Sequence, residues 1–193
     1  MKAGLGTITL VVALLVVFGI ELATHSVGNE ASLLRLGALP DNGALNGQYW
    51  RVATYSFLHF NGAHLLVNVL LLFWVGRIVE SWVGIVCAAA IYVSSVLSSA
   101  VVILLFHNLY PKAGATVGAS GGIFGLLAAA LIISHRHSPG ALDREGRLRS
   151  WLWITLVAGL GISFLPGISM AGHVGGLIGG TLLACIAKFR KKI

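Results

Sequence analysis

Charged side chains are spaced so widely along this chain that long uncharged runs separate them. These runs extend over 3–20, 52–76, 81–111, 113–135 and 150–187. A helix of about 20 apolar residues crosses roughly 30 Å of hydrocarbon, so each run can hold a spanning helix. The last is too long for one, and Pro166-Gly167 divides it, because proline lacks the N–H and glycine frees the backbone. Six helices are predicted, over 4–23, 62–80, 83–106, 119–135, 150–165 and 172–188. The first is kept as a helix and not a signal peptide. Glu21 would fall three residues before a cut at Ala23, where a small side chain is wanted. The expected fold is all-α: a single polytopic membrane domain over 1–193, a bundle of six transmembrane helices.

The segment 24–61 between the first two helices is too apolar for a free linker. It holds Leu33, Leu34, Leu36, Leu39, Leu45, Tyr49, Trp50, Tyr55, Phe57 and Phe60. Short helices lying in the interface are expected there, with Tyr49 and Trp50 at headgroup level and a turn at Asp41-Asn42-Gly43.

Composition sharpens the picture. Hydrophobic types make up 57% of the 193 residues and charged types 10%, against about 25% charged in a soluble domain. That excludes a water-soluble globule and a disordered chain. The net charge of +7 is a topological signal and not a nucleic-acid footprint. With the N-terminus in the cytoplasm, ten basic residues fall inside (Lys2, Arg77, Arg136, Arg144, Arg147, Arg149, Lys188, Arg190, Lys191 and Lys192). Three fall outside: Arg35, Arg51 and Lys112. Cytoplasmic loops collect Lys and Arg, so both termini are expected in the cytoplasm, and the expected location is a plasma or inner membrane crossed several times. Cys87 and Cys185 sit in apolar runs without metal-ligand spacing.

Polar side chains at membrane depth are expensive and ask for a reason. Four stand out. His64 and Asn68 are one turn apart on a single helix face. Ser120 lies in Gly118-Ala119-Ser120-Gly121-Gly122, a helix start whose backbone N–H groups lack partners. A serine there can also be a plain N-cap. It matches the strand-turn-helix nucleophile elbow only loosely, since no preceding strand is expected. His173 opens HVGGLIGG, in which Gly172, Gly176 and Gly180 repeat every four residues, the small-residue spacing of close helix contact in lipid. The helix after Ser120 carries its own small face in Gly121, Gly125 and Ala128. If the two faces meet, Ser120 and His173 stand at one level, and a hydroxyl reaches an imidazole. None of the six acidic residues falls on either helix, so the expected set is a dyad and not a triad. His64, Asn68 and the Ser120 backbone N–H are candidate oxyanion donors, with His59 in a supporting place. A channel lacks the inverted repeat it would need. A metal at His64 and His173 lacks a third ligand unless His59 supplies one.

The combined pattern resembles the rhomboid family of intramembrane serine proteases over residues 50–180. The elements are Trp50-Arg51, His59, His64 and Asn68 as H-x4-H-x3-N, Gly76 and Glu80 closing the second helix, Gly118-Ala119-Ser120-Gly121, and His173, Gly176 and Gly180 as H-x2-G-x3-G. The resemblance implies a six-helix core that cuts other membrane proteins in or near their transmembrane segments. Ser120 would be the nucleophile, His173 the general base and then acid, His64 and Asn68 the oxyanion donors, and Gly118 and Phe124 supporting residues. It implies no cofactor and no metal. The partners are transmembrane substrates and the lipid bilayer, with no nucleic acid and no oligomeric state specified. Helix 5, with Trp151, Trp153 and Phe164, and a cap over 166–171 would admit substrate. Phe124 stands where many members carry tyrosine, and Gly172 where alanine is common. The chain looks like the minimal core without an extramembrane domain.

Overall fold

A computed structural model describes residues 4–111, 113–137 and 144–186. In chain order the elements are α1 (Leu5–Ala23), α2 (Glu30–Leu36), β1 (Leu39–Pro40), α3 (Arg51–Thr54) and α4 (Gly62–Leu71). Then come α5 (Arg77–Val83), α6 (Ile85–Leu109), β2 (Ala115–Thr116), α7 (Ser120–His137), α8 (Arg144–Ile162) and α9 (Met170–Ile186). A 3-10 turn, Tyr55–Phe57, follows α3, and a π-helical stretch, Leu72–Gly76, joins α4 to α5. Among the described residues, three helices are long and apolar enough to cross a membrane: Leu5–Ala23, Gly62–Val83 and Ile85–Leu109. Ser120–Arg136 and Met170–Ile186 are shorter apolar helices. The expected end of the last helix at 188 lies outside the described residues, as do Lys2, Lys112, Asp143, Lys188, Arg190, Lys191 and Lys192.

The burial pattern suits a membrane protein. Val16, Leu66, Leu70, Val101, Leu105, Trp151 and Val157 point outward, while Ser95, Ser99, His59 and His173 are buried. Outward apolar faces of this extent are rare on soluble monomers.

Glycine faces set the packing of the inner three helices. A Cβ built on Gly176 would strike the backbone of Gly121, and one on Gly180 the backbone of Gly125, so α7 and α9 touch main chain to main chain. Gly175 and Gly179 place α9 equally close to Ser98, Ser99 and the Ser94 carbonyl of α6. Gly172 belongs to this second face. A Cβ there would meet Ile103 and Ser99 of α6 at 3.1 and 3.3 Å.

The second helix runs past its expected end. Gly84, at φ +84, stops it after Val83, three residues beyond Glu80. The Glu80 carboxylate instead accepts bonds from the Gly6 and Thr7 N–H groups at 3.1 and 2.9 Å and from Thr7 Oγ1 at 2.8 Å. It thereby caps the start of α1, where the helix dipole favours negative charge.

Segment 24–61 folds as two short helices and a turn around its own small core of Leu33, Ala38 and Leu58. Arg51 Nη1 donates to the Leu34 and Ala38 carbonyls at 2.6 and 2.7 Å, clamping the segment. Gly43 N donates to the Pro40 carbonyl at 3.1 Å, closing the expected turn. The all-α expectation needs one correction. β1 pairs antiparallel with β2, Leu39 opposite Thr116 and Pro40 opposite Ala115. Two residues a side are too few to show alternation in a sequence.

Candidate active site

The segment 113–119 carries Ser120 to its place. β2 binds it to segment 24–61, and Thr116 Oγ1 donates to Asp41 Oδ1 at 2.6 Å. Gly118 N donates to the Tyr55 carbonyl at 3.0 Å, while Tyr55 Oη reaches the Val96 carbonyl of α6 at 3.0 Å. Gly118 has φ +125, a conformation open to glycine. A Cβ there would lie 2.8 Å from the His64 ring. The glycine thus serves the turn and admits the imidazole over it.

Ser120 is not the N-cap of α7. Ile123 N donates to the Ala119 carbonyl at 3.1 Å, so Ala119 takes that position and Ser120 is the first helical residue. Its hydroxyl is left for another partner, and its own N–H lies among the first N–H groups, which have no partner within the helix.

That partner is His173. Nε2 of His173 lies 2.9 Å from Ser120 Oγ. Ser169 starts α9, with Gly172 N donating to its Oγ and His173 N to its carbonyl, both at 3.1 Å. The Phe124 ring, one turn into α7, stacks on the imidazole at 4.1 Å between centroids and 12° between planes. Nδ1 of His173 lies 2.5 Å from Ser163 Oγ, a residue that the sequence did not bring forward. It stands just beyond α8, ten residues before His173, and only the returning chain brings the two side chains together.

His64 and Asn68 come from α4. Asn61 caps that helix, Oδ1 accepting from His64 N at 2.8 Å, and so fixes His64 in the first turn, over Gly118. Asn68 is buried and donates through Nδ2 to the His64 carbonyl at 2.8 Å. One of its two amide N–H groups is therefore spent on its own helix. His59 meets His64 edge to face, centroids 5.0 Å apart. Its Nδ1 donates to the Phe57 carbonyl at 3.2 Å, and its backbone N–H donates to Glu21 Oε1 at 3.0 Å. Glu21, fully buried at the end of α1, is a second residue the sequence left unassigned. Burial, with the neighbouring His64 adding to it, pushes the His59 imidazole down to about 3, so His59 is neutral and holds its neighbour by shape.

A hydroxyl against an imidazole nitrogen, beside backbone N–H groups at a helix start, is the arrangement that serine nucleophiles use. The wider comparisons agree with this chemistry. Residues 46–189 match the rhomboid domain family. The chain is 33% identical over 172 residues to the rhomboid protease GluP of Bacillus subtilis, covering 89% of this chain and 32% of that protein. It is 30% identical over 160 residues to RHOMBOID-like protein 5 of Arabidopsis thaliana, covering 82% and 50%. With the rhomboid protease AarA of Providencia stuartii it shares 29% identity over 200 residues, covering 92% and 70%. It thus spans about a third of the length of the first of these relatives and half of the second. With three quarters of its length inside the domain match and the site residues gathered at one place, the chain belongs to the rhomboid family.

Proposed function

We propose that this chain is an intramembrane serine endopeptidase that cuts transmembrane segments of other membrane proteins near the outer face. The observation that carries this reading is the 2.9 Å contact between His173 Nε2 and Ser120 Oγ at the start of α7. The names of the relatives GluP and AarA, both rhomboid proteases, support it.

In this mechanism Ser120 Oγ attacks the scissile carbonyl as His173 Nε2 takes its proton. The tetrahedral oxyanion is met by the Ser120 backbone N–H, by His64 and by the second amide N–H of Asn68. His173 then delivers the proton to the leaving amine nitrogen. Water, activated by the same imidazole, releases the acyl group. Phe124 holds the ring plane. His59 holds His64, and Gly118 leaves the space that His64 occupies.

The topology we propose has six crossings, α1, α4 with α5, α6, α7, α8 and α9, with both termini cytoplasmic. It rests on the bias of basic residues and puts Ser120 and His173 toward the outer side. Segment 24–61 then lies at the outer interface, with Tyr49 and Trp50, both exposed, at headgroup level.

A fluorophosphonate probe tests the reading. The purified protein in detergent is expected to label covalently. Ser120→Ala is expected to be unlabelled and inactive on a transmembrane substrate, with an unchanged melting temperature. A labelled Ser120→Ala, or an unlabelled wild type, ends the proposal.

A further inference from the structure

His173 has two ring nitrogens, and the mechanism uses one. The other, Nδ1, faces Ser163 Oγ at 2.5 Å. The Ser163 hydroxyl has a second partner, the Gly159 carbonyl one helical turn earlier, at 2.8 Å. A carbonyl oxygen can only accept, and a hydroxyl has one proton. The Ser163 hydroxyl therefore donates its hydrogen bond to the Gly159 carbonyl, as serine commonly does toward the carbonyl four residues back. What remains on Ser163 Oγ is lone pairs, so Nδ1 must bring the hydrogen. A neutral imidazole carrying its proton on Nδ1 has its lone pair on Nε2, facing Ser120.

We infer that Ser163 is the positioning residue of His173, a neutral third member that holds the imidazole in the tautomer a general base requires. The inference rests on the proteolytic reading above. Ser163 is buried, 4% exposed, so water does not compete for Nδ1. Gly159 contributes twice. Its carbonyl orients Ser163, and its missing side chain admits Phe124, whose Cζ would lie 2.7 Å from a Cβ there. Phe124 in turn stacks on His173. One turn at the end of α8 thus controls the ring's edge directly and its face through Phe124.

No proton passes to Ser163. During acylation the proton of Ser120 Oγ moves to Nε2 and then to the leaving amine nitrogen. The Nδ1 hydrogen stays on the imidazole, bonded to Ser163 Oγ, and the Ser163 hydrogen stays on its own oxygen, bonded to the Gly159 carbonyl. The bond to Nδ1 strengthens as the ring becomes an imidazolium, since charge-assisted hydrogen bonds are the stronger ones. Its contribution therefore appears in the transition state and in kcat.

The test compares Ser163→Thr with Ser163→Val in the purified protein, on a fluorogenic transmembrane-segment substrate. The two side chains have the same shape and differ by the oxygen. The Thr variant is expected to exceed the Val variant about tenfold in kcat, the worth of one hydrogen bond, with the same KM. Equal kcat in the two, at whatever level, overturns the inference, and so does a difference carried by KM. Fluorophosphonate labelling separates this failure from that of the parent reading. A wild type that labels at Ser120, with Thr and Val equal, sinks the Ser163 role alone. A wild type that does not label sinks the protease.

Discussion

The polar residues of the site are held by groups that cannot easily turn away. His173 is fixed by Ser120 at Nε2, Ser163 at Nδ1 and Phe124 on its face. His64 is fixed by the Asn61 cap and by His59. Asn68 differs, with one N–H bound to its own helix and one available. If the free N–H meets the oxyanion, Asn68→Ala should lower kcat by roughly 10²–10³, measured at saturating substrate. An unchanged kcat would make Asn68 a brace for His64 and nothing more. His59 supports a second prediction. Its folded pKa of about 3 lies below the ordinary imidazole value of 6.5, so between these values the unfolded chain binds a proton that the folded chain excludes. Stability then rises with pH across that window and is complete above it. Melting in detergent from pH 4 to 7 should show this slope, and His59→Phe should flatten it. A slope unchanged in the variant would assign the effect to other groups.

Among the elements, α6, α7 and α9 form the part of the molecule least tolerant of change. Helices α7 and α9 meet backbone on backbone at Gly121, Gly125, Gly176 and Gly180, and Gly175 and Gly179 bring α9 equally close to α6. Gly180→Val should cost about 1–3 kcal/mol, because the atom it meets is a main-chain oxygen that cannot swing aside. It should also reduce turnover, since moving α9 off α7 moves His173 off Ser120. Wild-type melting and activity in that variant would show that the contact is slack. Helix α8 is of another kind, with its substantial contacts confined to α7 among the described residues. The strand pair β1–β2 ties the segment before Ser120 to the segment around Asp41, where His107 of α6 also stands, Nδ1 3.4 Å from Asp41 Oδ1. The start of α7 is therefore anchored to two distant parts of the chain.

For the whole molecule, the proposed reaction requires that a substrate helix come apart before it is cut, because an intact helix hides its carbonyls in its own hydrogen bonds. Substrates should carry Gly, Pro or polar residues near the outer end of their span. Replacing those residues by an uninterrupted run of Leu should suppress cleavage in proteoliposomes. Cleavage at the original rate would mean that the enzyme unwinds helices itself.

Much of this was legible in the residues. Uncharged runs marked five of the helices to within three positions, because a hydrocarbon environment leaves so little latitude in composition. Helix α8 instead begins at Arg144, six residues before the expected 150, because its first turns carry the charges that the uncharged run excluded. The four-residue spacing of Gly121 with Gly125 and of Gly176 with Gly180 foretold their meeting, because close approach in lipid needs small side chains at that period. Other features left no local trace. The two-residue strands, the Glu80 cap on α1 and the Glu21 bond to His59 join positions far apart in the chain. Ser163 is the clearest case. A serine near a helix end is ordinary in a sequence, and only the turn from α8 into α9 sets its oxygen against Nδ1. Periodicity and composition determine which faces are apolar and which helices approach. The partner of a single polar atom is decided by where the folded chain returns.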